Sequence, residues 1–131
     1  MKRKFLIDTN FILRPLTNDI PSQVEKSRKI LEKIEEKKII GIISILVINE
    51  LIWILKRFYK KRGKDYIPEI IKLLSLKNIK ILEIKKRELV YILEQMIKTN
   101  LDFTDLYLLY FGKELKYKIA SFDKKLLKLS F

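Results

Sequence analysis

The sequence contains no cysteine and no histidine. Without thiols there are no disulfides, no zinc–thiolate sites and no Cys nucleophile. Without imidazole there is no Ser-His-Asp triad, no imidazole general base and no His-ligated metal. Glycine is nearly as scarce. Gly41, Gly63 and Gly112 stand far apart, so no phosphate-cradling glycine loop can form. No apolar run reaches the roughly 18 residues that a membrane span requires. The longest candidate, around residues 39–55, is broken by Gly41, Ser44, Asn49 and Glu50. After the basic start Met1-Lys2-Arg3-Lys4, only Phe5-Leu6-Ile7 precede Asp8, which is too short for the apolar region of a signal peptide. These absences give the expectation of a cytoplasmic protein with no membrane partner. Any chemistry is left to carboxylates, hydroxyls, Lys, Arg and Tyr.

What is present is apolar mass and positive charge. Apolar residues make up 48% of the 131, enough for a real core, and the length predicts one domain over residues 1–131. Lys plus Arg is 29 against 16 Asp plus Glu, a net charge of +13. A surplus of that size favours a polyanion partner, nucleic acid first. Richness in Lys, Glu and Ile also fits a heat-adapted protein.

Hydrophobic periodicity predicts strands over residues 4–7, 39–44, 79–84 and 118–121. It predicts helices over 22–37, 45–60, 66–76, 86–99 and 103–115, with a terminal helical turn or two over 124–129. The second of these helices reads as apolar almost all round. Pro15 and Pro21 bracket a stretch read as irregular, Pro68 falls in a first turn, and residues 61–64 read as a basic loop. Strands alternating with helices imply an α/β fold with parallel pairing.

The carboxylates then take on a pattern. Asp8 ends the first strand, where α/β sheets place their sites, although Asp-Thr-Asn is also good helix-capping chemistry. Glu50 lies in a helix whose only other polar residues from Ile42 to Leu55 are Ser44 and Asn49. A buried acid there needs a cation or hydrogen bonds, unless Asn49 and Glu50 form a stripe reaching solvent. Asp102 and Asp105, three apart, share one face at a helix start, and capping accounts for Asp102 alone. Asp123 follows the last strand and also reads as an N-cap. In a parallel sheet these acids can converge at one end. A crowd of carboxylates then calls for a hard divalent cation, Mg²⁺ or Mn²⁺.

The stretches FLIDTNFI, SILVINELIWIL, LDFTDLYLL and IASFDKKLLKL run in order across nearly the whole chain. In these motifs the sequence resembles the PIN-domain family, and within it the VapC-type ribonuclease toxins of toxin–antitoxin pairs. The resemblance implies a three-layer α-β-α fold around a parallel sheet of four to five strands. The family's final edge strand is expected to be missing or vestigial, and Leu106-Tyr107 to make a bulkier pocket wall. It also implies Mg²⁺- or Mn²⁺-dependent cleavage of RNA, with an antitoxin as partner. By motif the catalytic acids are Asp8, Glu50, Asp105 and Asp123, with Asp102 as a further metal ligand and Thr9, Asn10 and Ser121 in support. Arg57, Lys60, Lys61, Arg62 and Lys64 are the candidate RNA-binding run, each also readable as a solvated helix end. Apolar helices carrying Tyr and Trp53 leave a homodimer open. The competing readings are a non-catalytic RNA- or DNA-binding module, a metal-dependent phosphatase or phosphoacceptor domain, and an interaction protein. A phosphatase would need a second acid close to Asp8, which Thr9-Asn10 does not supply.

Overall fold

The computed structural model describes residues 2–130. The elements run β1 (Lys4–Leu6), α1 (Thr9–Thr17), α2 (Pro21–Glu35), β2 (Ile40–Ile43), α3 (Ile45–Arg57), α4 (Gly63–Leu74), β3 (Ile79–Ile81), α5 (Lys86–Thr99), α6 (Phe103–Leu115) and α7 (Lys124–Leu129). The chain forms two compact units, Met1–Val90 and Tyr91–Phe131, the boundary falling inside α5.

The first unit is built on a parallel sheet in the order β1-β2-β3. Lys4 pairs with Ile40 and Leu6 with Ile42, then Gly41 pairs with Ile79 and Ile43 with Ile81. Parallel neighbours need long crossovers. Here α1 and α2 connect β1 to β2, and α3 and α4 connect β2 to β3. Ile43, Ile48, Leu51, Leu55, Ile67, Ile70 and Leu74 are fully buried and make up much of the core of this unit. Gly41 is required by close approach. A β-carbon there would stand 2.7 Å from Ile34 Cδ1 and 3.0 Å from Ile79 Cδ1.

Local signals set the helix ends. Ser44 caps α3, its hydroxyl accepting from the Leu46 N–H at 3.1 Å. Asp65 takes the Arg62 N–H at the start of α4. Asn18 closes α1 in the left-handed conformation, and Pro21 opens α2.

Of the stretch bracketed by Pro15 and Pro21, expected to be irregular, residues 18–20 are irregular but residues 15–17 belong to helix α1, with Pro15 inside the helix. The proline removes one intrahelical donor near the helix end, a cost of up to about 3 kcal/mol at a helix centre. Ile12 and Leu13, each 3% exposed, anchor the helix and outweigh that loss. Helix α4 begins at Gly63, three residues before its expected start, so Pro68 sits past the first turn. The predicted bounds of α5, α6 and α7 match those observed.

The second unit contains the rest of α5 together with α6 and α7. Its aromatic residues form a chain of contacts at helical spacing. Phe103 meets Tyr107 at 6.1 Å between centroids, Tyr107 meets Phe111 at 4.8 Å, and Tyr91 meets Tyr110 at 5.5 Å. Lys116 turns left-handed at the end of α6, and the Tyr117 N–H returns to the Gly112 carbonyl at 2.8 Å. Residues 117–119 therefore fold back over Gly112, where a β-carbon would meet the Tyr117 oxygen at 3.2 Å.

Residues 118–121, expected as a fourth strand, are irregular, so the described residues contain three strands rather than four or five. The fold-back engages the stretch with its own helix. Only Ile119 and Ser121 are partly covered, which is not the continuous burial of a central strand.

Gly41→Val is expected to overpack the Ile34–Ile79 contact and lower stability by about 1–3 kcal/mol. The test is urea denaturation. A fall in midpoint at constant slope confirms it, and an unchanged midpoint shows that the two isoleucines can swing aside.

Candidate active site

In the first unit, β1 and β2 bring Asp8 and Ser44 to the same carboxyl-end edge, since the register that pairs Leu6 with Ile42 continues through the bond from the Ile7 N–H to the Ile42 carbonyl. Asp8 is the N-cap of α1 by position, yet its side chain makes no capping hydrogen bond. Its carboxylate is thus not engaged by the dull alternative that the sequence allowed. Thr9 beside it is 3% exposed, while Asn10 faces solvent.

Glu50 departs from expectation. Helix α3 is not buried all round. Ile48, Leu51, Ile52 and Leu55 form its inner face, while Leu46 is 74% and Trp53 61% exposed. Asn49 and Glu50 lie on the exposed side, so Glu50 needs no compensating charge for burial. It stands six residues past Ser44, roughly 9 Å along the helix.

The acid that anchors this helix was not singled out in the sequence. Glu83, just past β3, accepts from the Ser44 hydroxyl and from the Ile45 N–H at 2.9 Å. A carboxylate at a helix N-terminus is favoured by the unpaired donors there. Glu83 therefore fixes α3, and with it Glu50, to the third strand. Its position after an apolar strand repeats that of Asp8 and was the available signal.

A cavity of about 230 Å³ opens beside Asp8, lined by Asn10 and Phe11 of α1, by Arg14 one turn further on, and by Gln23, Lys26 and Ser27 of α2. Arg14 is held in place. Its Nε donates to Gln23 Oε1 at 2.7 Å and its Nη1 to Asp19 Oδ1 at 3.1 Å. Asp19 also accepts from Thr17 at 2.7 Å and from the Tyr59 hydroxyl. The Tyr59 and Thr17 bonds, followed by the Arg14 charge, hold the Asp19 carboxyl below its usual range. None of these residues stood out in sequence, because the segment from Asp8 to Arg14, just before the Pro15–Pro21 stretch, was given no helix. As a helix it sets Asn10 and Arg14 four apart, on one face.

The candidate RNA-binding residues are exposed. Arg57 ends α3, Lys60 takes a left-handed conformation in the following turn, Lys61 and Arg62 lead into α4, and Lys64 lies in its first turn.

In the second unit, Asp105 is half-buried between buried Phe103 and Leu106. Burial, then the charges of Asp102 and Asp123, raise its pKa above the usual carboxylate value. The three acids thus act on one another electrostatically. Asp102 is N-cap of α6 by position without a side-chain capping bond. Asp123 does cap. Its Oδ1 accepts from the Lys125 N–H at 2.9 Å and the Leu126 N–H at 3.2 Å. Ser121 Oγ accepts from the Asp123 N–H at 2.9 Å and so fixes the turn that presents this carboxylate.

Among the described residues no group of three or more acids stands close enough to form a ready metal cage. The donor chemistry nevertheless fits a hard cation. All the candidate donors are carboxylate oxygens, and the like-charge pressure on Asp105 is what a divalent ion relieves. Mg²⁺ keeps several waters and needs only one or two carboxylates, so a closed cage is not required.

Because Asp105 binds its proton more tightly in the folded chain, its contribution to stability is full below the ordinary value of 3.8 and is lost as pH rises through the raised one. Asp105→Asn is therefore expected to raise the metal-free Tm at neutral pH and to give no gain near pH 3, a point chosen below the usual range of about 3.9. Thermal melts in EDTA at both values test this. A lower Tm at neutral pH would show that the carboxylate is held by favourable contacts.

A family profile for the PIN domain matches residues 5–131, spanning both units. No curated protein and no solved structure matches the chain. The match covers nearly the whole sequence, including every acid described above, and the chain belongs to the PIN-domain family.

Proposed function

We propose that this protein is a divalent-metal-dependent endoribonuclease that hydrolyses RNA phosphodiesters, and that it serves as the VapC-type toxin of a toxin–antitoxin pair. PIN domains are generally nucleases that use divalent metals, which supports the reaction class. The observation that carries the reading to this chain is Asp105, partly buried and crowded by the charges of Asp102 and Asp123. Such crowding is unfavourable in a structural domain and useful in a cation site.

In this reading residues 1–131 act as one nuclease domain. Asp8, Glu50 and Asp105 would hold Mg²⁺ or Mn²⁺ directly or through water, Asp102 would add charge, and Asp123 would hold a second ion or orient a water. When bound, the ion supplies Lewis-acid polarisation of the phosphate and acidification of a water. The chain's own residues do the positioning. Ser121 fixes the turn of Asp123, and Glu83 fixes the helix of Glu50. The cations of the α3–α4 turn grip flanking phosphates without reading bases. An antitoxin would inhibit most directly with an arginine, whose fork matches paired carboxylates.

The rival reading, a basic RNA-binding module without catalysis, makes a different prediction. Purified protein is expected to cut single-stranded RNA with Mg²⁺ or Mn²⁺ and not with EDTA. Asp8→Asn and Asp105→Asn are each expected to lose at least about a hundredfold in rate while melting cooperatively. The rate should rise through neutral pH, since the chain has no imidazole to impose a limb near pH 6–7. RNA binding without cleavage in any metal would establish the binding module instead.

A further inference from the structure

The cavity beside Asp8 combines features that the acid site alone does not explain. Its lining carries one acid, Asp8, and two cations, Arg14 and Lys26. A metal site has no need of fixed cations, which repel the ion. An anion beside the metal site does need them. The Arg14 side chain is only 14% exposed, and two of its five N–H donors are engaged by Gln23 and Asp19. Those bonds set the plane of the guanidinium before any ligand arrives. A pre-set fork suits the paired oxygens of a phosphate better than a mobile ammonium does. Lys26, exposed on α2, adds a second charge at the mouth. The volume equals roughly seven or eight waters at about 30 Å³ each, which accommodates a phosphate with part of its ribose. Phe11 supplies an apolar wall.

We propose that this cavity seats one phosphate of the RNA strand next to the scissile bond, gripped by Arg14 and Lys26. The site depends on the nuclease reading for its place in the reaction, but the binding it describes does not require cleavage. Gln23 and Asp19 are positioning residues that orient the Arg14 fork. The Asn10 amide lies on the same helical face as Arg14 and can hydrogen-bond the adjoining ribose or phosphate.

The experiment is equilibrium binding of a labelled oligouridylate of about eight nucleotides, within the usual range of single-strand site sizes. It is run in EDTA over a salt series, so that nothing is cut. Lys26→Gln is expected to weaken binding and to flatten the salt slope by about 0.7, the value for one single-strand phosphate contact. Arg14→Lys keeps the charge and loses the fork, so it should weaken binding several-fold at nearly unchanged slope. Urea melts check that each variant is folded, and Lys26, exposed on its helix, is the substitution least able to disturb the fold. Lys77→Gln removes the same charge at the opposite, amino end of β3 and is expected to change neither quantity. An unchanged slope in Lys26→Gln, or an equal loss in Lys77→Gln, overturns the phosphate seat. Cleavage by the parent protein separates the two ideas. A protein that cuts RNA but shows no Lys26 effect keeps the nuclease reading and loses the seat. One that shows the slope change but cuts nothing in Mg²⁺ or Mn²⁺ keeps the seat and loses the nuclease reading.

Discussion

Strand β2 is hydrogen-bonded on both sides. The Ile7 N–H reaches the Ile42 carbonyl from one edge, and the Gly41 N–H reaches the Asn78 carbonyl on the other. With both edges occupied and the Gly41–Ile43 face buried, a side chain at Gly41 would have to displace the tips of Ile34 and Ile79. This confinement sets the rest of the first unit. It fixes the register that carries Asp8 and Ser44 to one edge. It directs the chain after Ile43 into α3, and it sets β3 so that Glu83 can bond the first turn of that helix. The positions of the candidate site groups of this unit follow from where β2 lets its neighbours end.

Three acids stand at helix starts, Asp8, Asp102 and Asp123, and their sequence contexts look alike. Their fates differ. Asp123 accepts two backbone N–H groups, whereas the side chains of Asp8 and Asp102 make no capping bond. Helix α7 has only six residues and little packing of its own beyond Leu126, so its start needs a cap. Helices α1 and α6 are pinned instead by Ile12, Leu13, Phe103 and Leu106. Packing that holds a helix relieves the acid at its start of the capping role.

The same distinction governs what could be read in the sequence. The parallel pairing of the strands and the bounds of α5, α6 and α7 were legible, because apolar period and capping residues agree there. Helix α1 was not legible. Pro15 and Pro21 are local signals, and the burial that overrides Pro15 is a tertiary effect. Residues 118–121 failed in the opposite direction. Their β-forming character is real, but the turn at Lys116 commits them to α6. Motif marked out the acids as candidates. The sequence argument for Glu50 rested on a burial that α3 does not have. The Arg14–Asp19–Gln23 network and Glu83 belong to contacts between distant segments, which no local window contains.

The bond from Tyr59 to Asp19 joins two turns that are 40 residues apart in sequence. One turn follows α1 and steadies the Arg14 fork, and the other carries Lys60 and Lys61. Tying them braces each turn against the other, so ordering one surface lowers the conformational entropy still to be lost by the other. In the proposed reading, a strand of RNA that settled first on either surface would meet the second already partly arranged. In that reading the two basic patches would act together as one bivalent surface, joined through a single phenol.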